Sequence, residues 1–293
     1  MRGIIVSVAM LIALSDVAIA QDQNKASPRQ AEERKFIQGT APPANWQAIL
    51  EQAGKRRGGS TGVHSVQIWG VGPDVPYGRV YLWNGASWSE PNPTARASEI
   101  SATPGGAWAL GSAGRIFWTT NGTSWSEPNP AAQAYSISGP ATAVWAVGDD
   151  YRVFLSLDGG KSWFEPNTSY KLRQVSAGNA GNVWGISLSF HVFKYNAGTW
   201  EARYPAGIMR QISAMGTGDG AWGIGNGDRI LMTVDGHSWS EPNPVARASQ
   251  ISAIDNLHAW AIGNGNRVFM TTDGGVSWSE PNPQAHLKQV SAQ

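Results

Sequence analysis

The sequence of 293 residues contains no cysteine and few charged residues. Without cysteine, neither disulfides nor a thiolate metal site can hold the chain together. Charged residues make up 15% and the formal net charge is +1, so the chain lacks the positive charge with which proteins hold nucleic-acid phosphates. The composition therefore predicts no nucleic-acid partner.

Long apolar runs are missing after the first residues. Arg2 is followed by an apolar run at 3–14 and by Ala-Ile-Ala at 18–20, a pattern typical of a cleaved signal peptide over 1–20. The run is too short to cross a bilayer comfortably, and no later stretch is long enough. We therefore expect no transmembrane segment and a mature chain that is secreted or periplasmic.

The usual signatures of catalysis are absent as well. The five histidines are scattered without metal-ligand spacing, there is no GxSxG motif, and GIGNGD at 223–228 lacks the helix that a phosphate loop needs. No cofactor and no metal site are predicted, and the chain is not expected to be an enzyme.

Residues 21–60 differ in composition from the rest, because basic and acidic residues concentrate there. Within this segment Trp46, Ile49 and Leu50 fall on one helical face, and a glycine and a basic run follow them. The segment is predicted to be a linker with one short helix that packs on the main body.

Tryptophan and repetition are what the sequence has in excess. WSEPNP occurs at 88–93, 125–130, 239–244 and 278–283, with WFEPNT at 163–168 as a looser copy. The tryptophans that begin these strings, together with Trp200, follow one another at intervals of 37 to 39 residues. Such a period predicts repeated structural units over 61–293.

Each unit contains four short apolar segments, which in the last full unit are SQISAI, AWAIG, RVFMTT and SWSEP. Four antiparallel strands in about 40 residues are typical of a β-propeller blade. The first unit lacks its first strand and the chain ends one strand into a seventh copy, so strand 287–292 is predicted to join the strands of 66–91. The predicted fold is all-β: a six-bladed β-propeller of four-stranded antiparallel blades, closed by the C-terminal strand, with a short N-terminal helical extension.

Turn signals separate the third and fourth strands of each unit. Asn84-Gly85, Asn121-Gly122 and Asp235-Gly236 predict two-residue turns in which both residues have positive φ. SLDGGKSW at 156–163 and TTDGGVSW at 271–278 resemble the Asp-box of bacterial neuraminidase-type propellers, in which the Asp side chain bonds its own turn.

Two stretches, RQISAMGTGDGAWGIGNGDRIL at 210–231 and LRQVSAGNAGNVWGI at 172–186, resemble the tectonin repeat. The resemblance covers 61–293 and implies a six-bladed propeller lectin that recognises glycans, including bacterial lipopolysaccharide and O-methylated sugars. The chain departs from the repeat where it inserts WSEPNP. A second resemblance, in HAWAIGNGNRVFMTTDGGVSW at 258–278, is to Asp-box repeat proteins that assist photosystem II assembly.

The alternation of strand direction places the WSEPNP string and the Arg that opens the third strand on one face. Pairing Thr272 with Ser277 brings Arg267 near Asn282 in the last unit. Aromatic faces and planar polar groups are what a sugar site needs, and three intact units offer them. The predicted ligand-binding residues are Arg115, Trp125, Glu127, Asn129, Arg229, Trp239, Glu241, Asn243, Arg267, Trp278, Glu280 and Asn282.

A structural interpretation of the same residues stays open. Arg267 and Glu280 suit an internal ion pair, and Pro-Asn-Pro suits a stiff linker between blades. The fourth unit has His191 in place of the Arg and WEARYP in place of WSEPNP, so it is expected to lack the repeated site.

Three functions follow from these patterns. The favoured one is a secreted multivalent lectin that recognises surface glycans, because one constellation repeated several times suits avidity. The alternative is a protein-binding propeller that acts as a scaffold or assembly factor through its disc face. A glycosidase is the remote alternative, since catalysis needs a single set of different groups.

Overall fold

The computed structural model of the chain describes residues 41–55, 66–204 and 208–293. The predicted signal peptide, the linker before residue 41 and the basic segment at 56–60 lie outside the described residues. No helix in the described part of the chain is long and apolar enough to cross a membrane.

In the part of the chain that the structure describes, one α-helix, α1, spans Trp46–Lys55, within the segment where a short helix is predicted. Leu50 is buried, and the Trp46 ring packs edge-on against Phe164 with ring centroids 5.6 Å apart. Ile49, which was predicted to share the buried face, is exposed. Trp46 and Leu50 lie one turn apart and face the sheets, whereas Ile49 lies at the margin of that face.

All other long elements in the described residues are β-strands. Their bounds are β1 (Ile68–Val71), β2 (Gly78–Trp83), β3 (Trp88–Ser89), β4 (Arg96–Ala97), β5 (Glu99–Thr103), β6 (Gly106–Leu110), β7 (Ile116–Thr119), β8 (Ser136–Ser138), β9 (Val144–Val147), β10 (Val153–Ser156), β11 (Leu172–Ala177), β12 (Val183–Ser187), β13 (Val192–Asn196), β14 (Thr199–Tyr204), β15 (Met209–Ala214), β16 (Ala221–Gly225), β17 (Ile230–Thr233), β18 (Gln250–Ala253), β19 (Ala259–Ile262), β20 (Val268–Thr271) and β21 (Gln289–Ala292). Short 3-10 turns at Ser112–Gly114, Asp149–Tyr151, Asn226–Asp228 and Asn264–Asn266 precede β7, β10, β17 and β20.

The strands form six antiparallel sheets within the described residues. Sheet 1 has the order β21-β1-β2-β3, with β4 also paired to β2; sheet 2 is β5-β6-β7, sheet 3 is β8-β9-β10, sheet 4 is β11-β12-β13-β14, sheet 5 is β15-β16-β17 and sheet 6 is β18-β19-β20. The all-β class is therefore as predicted.

A full fourth strand is formed in sheet 4, but in sheets 2, 3, 5 and 6 it is reduced to one bridge, such as Met270 with Ser279. The position of the first proline after the tryptophan explains the difference. In WSEPNP the first Pro follows directly after Glu and has no N–H to donate, so the chain leaves the sheet after one pair of hydrogen bonds. WEARYP delays its Pro by two residues, and β14 continues to Tyr204.

The C-terminal strand pairs with the first strand, as the repeat offset predicts. β21 runs antiparallel to β1, with Trp69 opposite Ser291 and Val71 opposite Gln289. The pairing continues past the strand ends, because Gln67 and Gln293 exchange backbone hydrogen bonds of 3.1 and 3.2 Å. Residues from both ends of the chain thus complete one sheet.

The hydrophobic core consists of clusters that lie between consecutive sheets. Trp108 of sheet 2 packs with Val144, Phe154 and Trp163 of sheet 3, for example. The same arrangement joins sheet 6 to sheet 1, where Trp260 packs with Val290. Each sheet therefore buries one face against the preceding sheet and the other face against the following sheet.

Side chains on the first strand of each sheet bond the backbone of the next sheet. Gln174 accepts from the Ile212 N–H at 3.1 Å and donates to the Ile212 carbonyl at 3.0 Å. Gln211, Gln250 and Gln289 make the same paired bonds to Ile251, Val290 and Ile100. Gln289 lies in sheet 1, which contains both β1 and β21, and its bonds to Ile100 link this sheet to sheet 2.

Sheet 2 differs, because Glu99 occupies the position of the glutamine. Glu99 Oε1 accepts from the Ile137 N–H at 2.8 Å and from the Ser136 hydroxyl at 3.2 Å. Burial raises the pKa of Glu99 from 4.5 to about 7, although these two hydrogen bonds oppose the rise. At the other positions the glutamine amide nitrogen donates a second hydrogen bond to the next sheet. An ionised carboxylate has no proton with which to make that bond.

The turns between third and fourth strands differ from the prediction. Gly122 has a positive φ of 75°, but Asn121, Asn84 and Asp235 do not. The Asn121 side chain instead accepts from the N–H groups of Thr123 and Ser124 at 2.9 and 3.0 Å. A side-chain cap therefore replaces the predicted pair of left-handed residues.

The Asp-box resemblance predicts the same kind of cap in sheets 3 and 6, and the hydrogen bonds agree. Asp273 accepts from the Ser277 N–H at 3.0 Å and from its hydroxyl at 2.5 Å. The hydrogen bonds from Ser277 lower the pKa of Asp273 to about 2. The Asp side chain holds its own hairpin.

We predict that Glu99→Gln removes a pH dependence of stability. Between pH 4.5 and 7 the folded chain keeps a proton on Glu99 that the unfolded chain has released, so wild-type stability falls as pH rises through this interval. The variant should gain on the order of 2 kcal/mol over wild type at pH 8 and little at pH 4. Urea unfolding at both pH values measures this, and an equal effect at the two would contradict the assignment.

Truncation after Pro283 should destabilise the chain severely. It removes β21, which leaves the edge of β1 unpaired and exposes the cluster around Trp260. We expect aggregation or a large drop in the thermal midpoint, measured by scanning calorimetry. Gln284→Ala, which alters the same segment and keeps β21, is the control. A truncated protein that melts like the full chain would show that β21 is dispensable.

Candidate functional site

The predicted arginines and glutamates meet in every intact unit. The bridge between Met270 and Ser279 confirms the predicted register, which places Phe269 opposite Glu280. Arg267 Nε donates to Glu280 Oε1 at 2.8 Å, and its Nη2 donates to the second oxygen. The same bidentate pairs are Arg115 with Glu127 and Arg229 with Glu241.

In these pairs the guanidinium covers the carboxylate. The Glu280 side chain is 12% exposed and the Arg267 side chain 52% exposed. The Arg267 hydrogen bond lowers the pKa of Glu280, and the Glu280 hydrogen bond raises the pKa of Arg267. Arg267 also lies over the Phe269 ring at 5.3 Å. Both carboxylate oxygens are thus engaged inside the chain, and the outer surface of the arginine faces solvent.

The predicted tryptophans pack towards the preceding sheet. Trp125 meets Trp69 edge-on with ring centroids 6.3 Å apart, and its indole N–H donates to the Gly122 carbonyl at 3.0 Å. Trp239 meets Trp184 at 5.9 Å and Trp278 meets Trp222 at 6.3 Å in the same way. These partly buried rings belong to the junctions between sheets.

Two of the three predicted asparagines bond the following sheet, in the direction opposite to the tryptophans. Asn129 Nδ2 donates to the Lys161 carbonyl and Asn243 Nδ2 to the Val276 carbonyl, both at 2.9 Å. Asn282 Oδ1 accepts from the Gln284 N–H at 3.1 Å and so caps its own turn. The structure therefore brings Arg and Glu of each unit together, but in two of the three units it directs Trp and Asn to opposite neighbours.

A groove of about 240 Å³ lies at the junction of sheets 1 and 2. Trp125 and Phe117 of sheet 2 provide aromatic walls, and Asn92, Thr94 and Arg96 of the linker provide polar groups. Of the predicted residues, only Trp125 lines it. A groove with aromatic walls and a few polar groups suits a small polar ligand that has one apolar face.

Arg96 is the functional candidate that the sequence prediction missed. Its Nη1 donates to the carbonyls of Pro93 and Ala95, both at 2.8 Å, and lies 4.0 Å from Glu90. Its side chain is 38% exposed. The signal was available, because Pro-Asn-Pro is followed by an identical Ala-Arg-Ala-Ser at 95–98 and 246–249.

The second copy of this linker makes the same contacts. Arg247 Nη1 donates to the carbonyls of Pro244 and Ala246 at 2.7 Å and lies 3.9 Å from Glu241. Trp278, which follows in sheet 6, corresponds to Trp125. The linkers at these two junctions thus present the same charged group in the same local geometry.

A metal site is not supported within the described residues, since no group of three or more His, Asp or Glu side chains converges there.

The Tectonin domain model matches residues 133–293, which is more than half of the chain. The chain belongs to the tectonin family. No curated protein matches the sequence. The tectonin match begins in sheet 3 and includes the second Ala-Arg-Ala-Ser linker.

Solved structures of propeller proteins are similar in fold. A GH74 enzyme from Niastella koreensis is 16% identical, with a TM-score of 0.52 over 75% of this chain and 38% of that one. YCF48 bound to D1 peptide is 16% identical, with a TM-score of 0.47 over 73% and 78% of the two chains. The CRINKLY WD40 ectodomain of the Arabidopsis thaliana receptor kinase ACR4 is 16% identical, with a TM-score of 0.49 over 73% and 85%. At these identities the likeness concerns the fold alone.

Replacing Glu127, Glu241 and Glu280 together by Gln should lower the thermal midpoint of the tectonin chain. Each Arg then loses a bidentate, charge-assisted partner, and Gln can accept only one of the two bonds. The groove at Trp125 should keep its shape, because the carboxylates do not line it. A double-mutant cycle of Glu280→Gln with Arg267→Gln measures the coupling, and a coupling of zero would contradict the structural role.

Proposed function

We propose that this tectonin chain is a secreted, six-bladed propeller lectin, closed by its C-terminal strand, that binds surface glycans through grooves between its blades. The pairing of β21 with β1 and the packing of sheet 6 on sheet 1 support the ring. The tectonin family and the pattern of a signal peptide at residues 1–20 support the role and the location.

The observation that carries the glycan proposal is the groove at Trp125. A sugar ring needs an aromatic surface for its C–H face and planar polar groups for its hydroxyls. Trp125 and Phe117 supply the first, and the Arg96 guanidinium and the linker polar groups supply the second. A volume of about 240 Å³ suits one sugar unit at the end of a chain.

Repetition of such a shallow site strengthens attachment to a surface. The Arg247 linker and Trp278 offer the same groups at the junction of sheets 5 and 6, and two sites on one rigid body raise avidity on a surface that displays many glycans. The charge of Arg96 and Arg247 favours glycans rich in oxygen substituents or negative charge, of which lipopolysaccharide is one class. O-methylated sugars would place their methyl groups on the aromatic wall.

Attachment of the mature chain to a glycan array tests the proposal. Arg96→Ala and Arg247→Ala each remove a charged donor, which should weaken one site about tenfold or more. The double variant should lose surface attachment altogether, because avidity is lost with the affinity of each site.

Lys171→Ala is the matched control, since Lys171 is an exposed cation of a linker that lacks the Ala-Arg-Ala-Ser motif. It should bind like wild type with an unchanged thermal midpoint. If the protein binds no glycan on the array, the lectin proposal is wrong and a protein-binding scaffold is favoured. Release of reducing sugar from a bound glycan would instead favour a glycosidase.

A further inference from the structure

The first strands of all six sheets line one narrow cavity. Its volume is about 50 Å³, and its accessible lining is entirely polar. A cavity of this size has room for a single ion or for one or two water molecules, and it is too small for a sugar. It is therefore a different kind of site from the groove at Trp125.

Serine hydroxyls form one layer of this lining, with one serine from each sheet. Five of them accept from a backbone N–H of an adjacent sheet at 2.8 to 3.0 Å, as Ser252 does from Ala292. Ser101, the sixth, is 8% exposed and makes no hydrogen bond within the described residues. Its hydroxyl oxygen therefore remains available to a guest in the cavity.

The neighbouring layer of glutamine bonds is incomplete at sheets 2 and 3. At the other four junctions a glutamine amide donates to a carbonyl of the adjacent first strand. The Glu99 carboxylate has no N–H to give to the Ile137 carbonyl. Ser136, which stands at the glutamine position of sheet 3, donates back to Glu99 instead of reaching Val175. The carbonyls of Ile137 and Val175 thus lack the side-chain donor that their counterparts have, and both residues line the cavity.

Glu99 brings the one ionisable group to this lining. Both of its hydrogen bonds use Oε1, which leaves Oε2 without a donor in the described part of the chain. Burial raises the pKa of Glu99, and no neighbouring cation opposes that rise. A carboxylate inside a protein is normally paired with a cation or coordinates a metal ion. The charge of Glu99 therefore lacks the compensation that such a position requires.

The unused groups are mostly oxygen atoms, and they lie on the consecutive first strands β5, β8 and β11. Carboxylate, hydroxyl and carbonyl oxygens are the ligands of hard cations. One carboxylate balances one positive charge, which favours an alkali ion over a divalent ion. Because most of these oxygens are neutral, such a site does not need the three converging His, Asp or Glu side chains that other metal sites use.

We propose that this cavity binds one sodium or potassium ion beside Glu99. The ligands are Glu99 Oε2, the Ser101 hydroxyl and the carbonyls of Ile137 and Val175. The ion joins sheets 2, 3 and 4 at the place where the glutamine bonds are missing. The site does not depend on the glycan grooves, and an empty glycan array would leave it standing.

Thermal unfolding of the mature chain at pH 8, where the Glu99 carboxylate is ionised, tests the proposal. Sodium, potassium and tetramethylammonium chloride are compared at the same concentration of about 0.2 M, so that ionic strength is constant. Tetramethylammonium is too large for the cavity. At least one alkali salt should raise the midpoint by about 3 °C or more over tetramethylammonium chloride. Equal midpoints in the three salts would mean that water or a retained proton takes the place of the ion, and the proposal would be wrong.

Glu99→Gln removes the charge and supplies the missing amide donor. The variant should lose the difference between alkali and tetramethylammonium salts, although its midpoint in tetramethylammonium chloride should lie above that of wild type. Because this variant is expected to be stable, loss of the response cannot be attributed to unfolding. A variant that keeps the full alkali response would overturn the role of Glu99 and with it the proposal.

Ser101→Ala removes a second ligand. It should raise the alkali concentration that gives half of the stabilisation about threefold or more. Ser252→Ala is the matched control, since Ser252 belongs to the same hydroxyl layer but lies in sheet 6. The control should melt at a lower temperature, because the Ala292 N–H loses its acceptor, yet it should keep the alkali response. The opposite pattern in the two variants would contradict the location beside Glu99.

Sodium NMR detects the ion directly. The sodium resonance should broaden in the presence of wild type, and much less in the presence of Glu99→Gln. Equal broadening by the two proteins would show that sodium associates with other parts of the surface only, which would refute the site.

Discussion

The bond between a glutamine side chain and the backbone of the next sheet is the interaction on which the rest of the structure depends. Gln174, Gln211, Gln250 and Gln289 each satisfy one N–H and one carbonyl of a neighbouring first strand. These edges would otherwise carry unpaired backbone groups. A single sheet of this size cannot bury a hydrophobic core by itself, so each sheet is stable only when it packs against its neighbours.

This constraint decides what the repeated tryptophans and WSEPNP strings do. Trp125 packs on the sheet before it and Asn129 bonds the sheet after it, while Glu127 and Arg115 satisfy one another. Much of the repeat is therefore devoted to joining units. The groove edge beside Trp125 and the Arg96 linker are surfaces that this joining does not use.

Where a unit departs from the repeat, the structure gains features that the other units lack. WEARYP extends β14, and Tyr195 replaces the hydroxyl that holds other hairpins. α1 then covers this position, and a cleft forms between them. Glu99 is a comparable departure in sheet 2, where a carboxylate stands in a series of glutamines and acquires a raised pKa. The repeated units thus provide the scaffold, and the units that depart from the repeat carry side chains with different chemistry.

The sequence by itself determined the period, the strand content, the register of Arg267 against Glu280 and the pairing of the last strand with the first. These features depend on the spacing within each unit and on the offset of the repeat at the two ends of the chain, both of which the sequence displays directly. Only the tertiary structure decided which neighbour Trp125 and Asn129 contact, that Arg96 lines the groove with Trp125, and that Trp46 meets Tyr195. Those contacts join residues of different units, and their partners follow from how the sheets pack rather than from the spacing within any one unit.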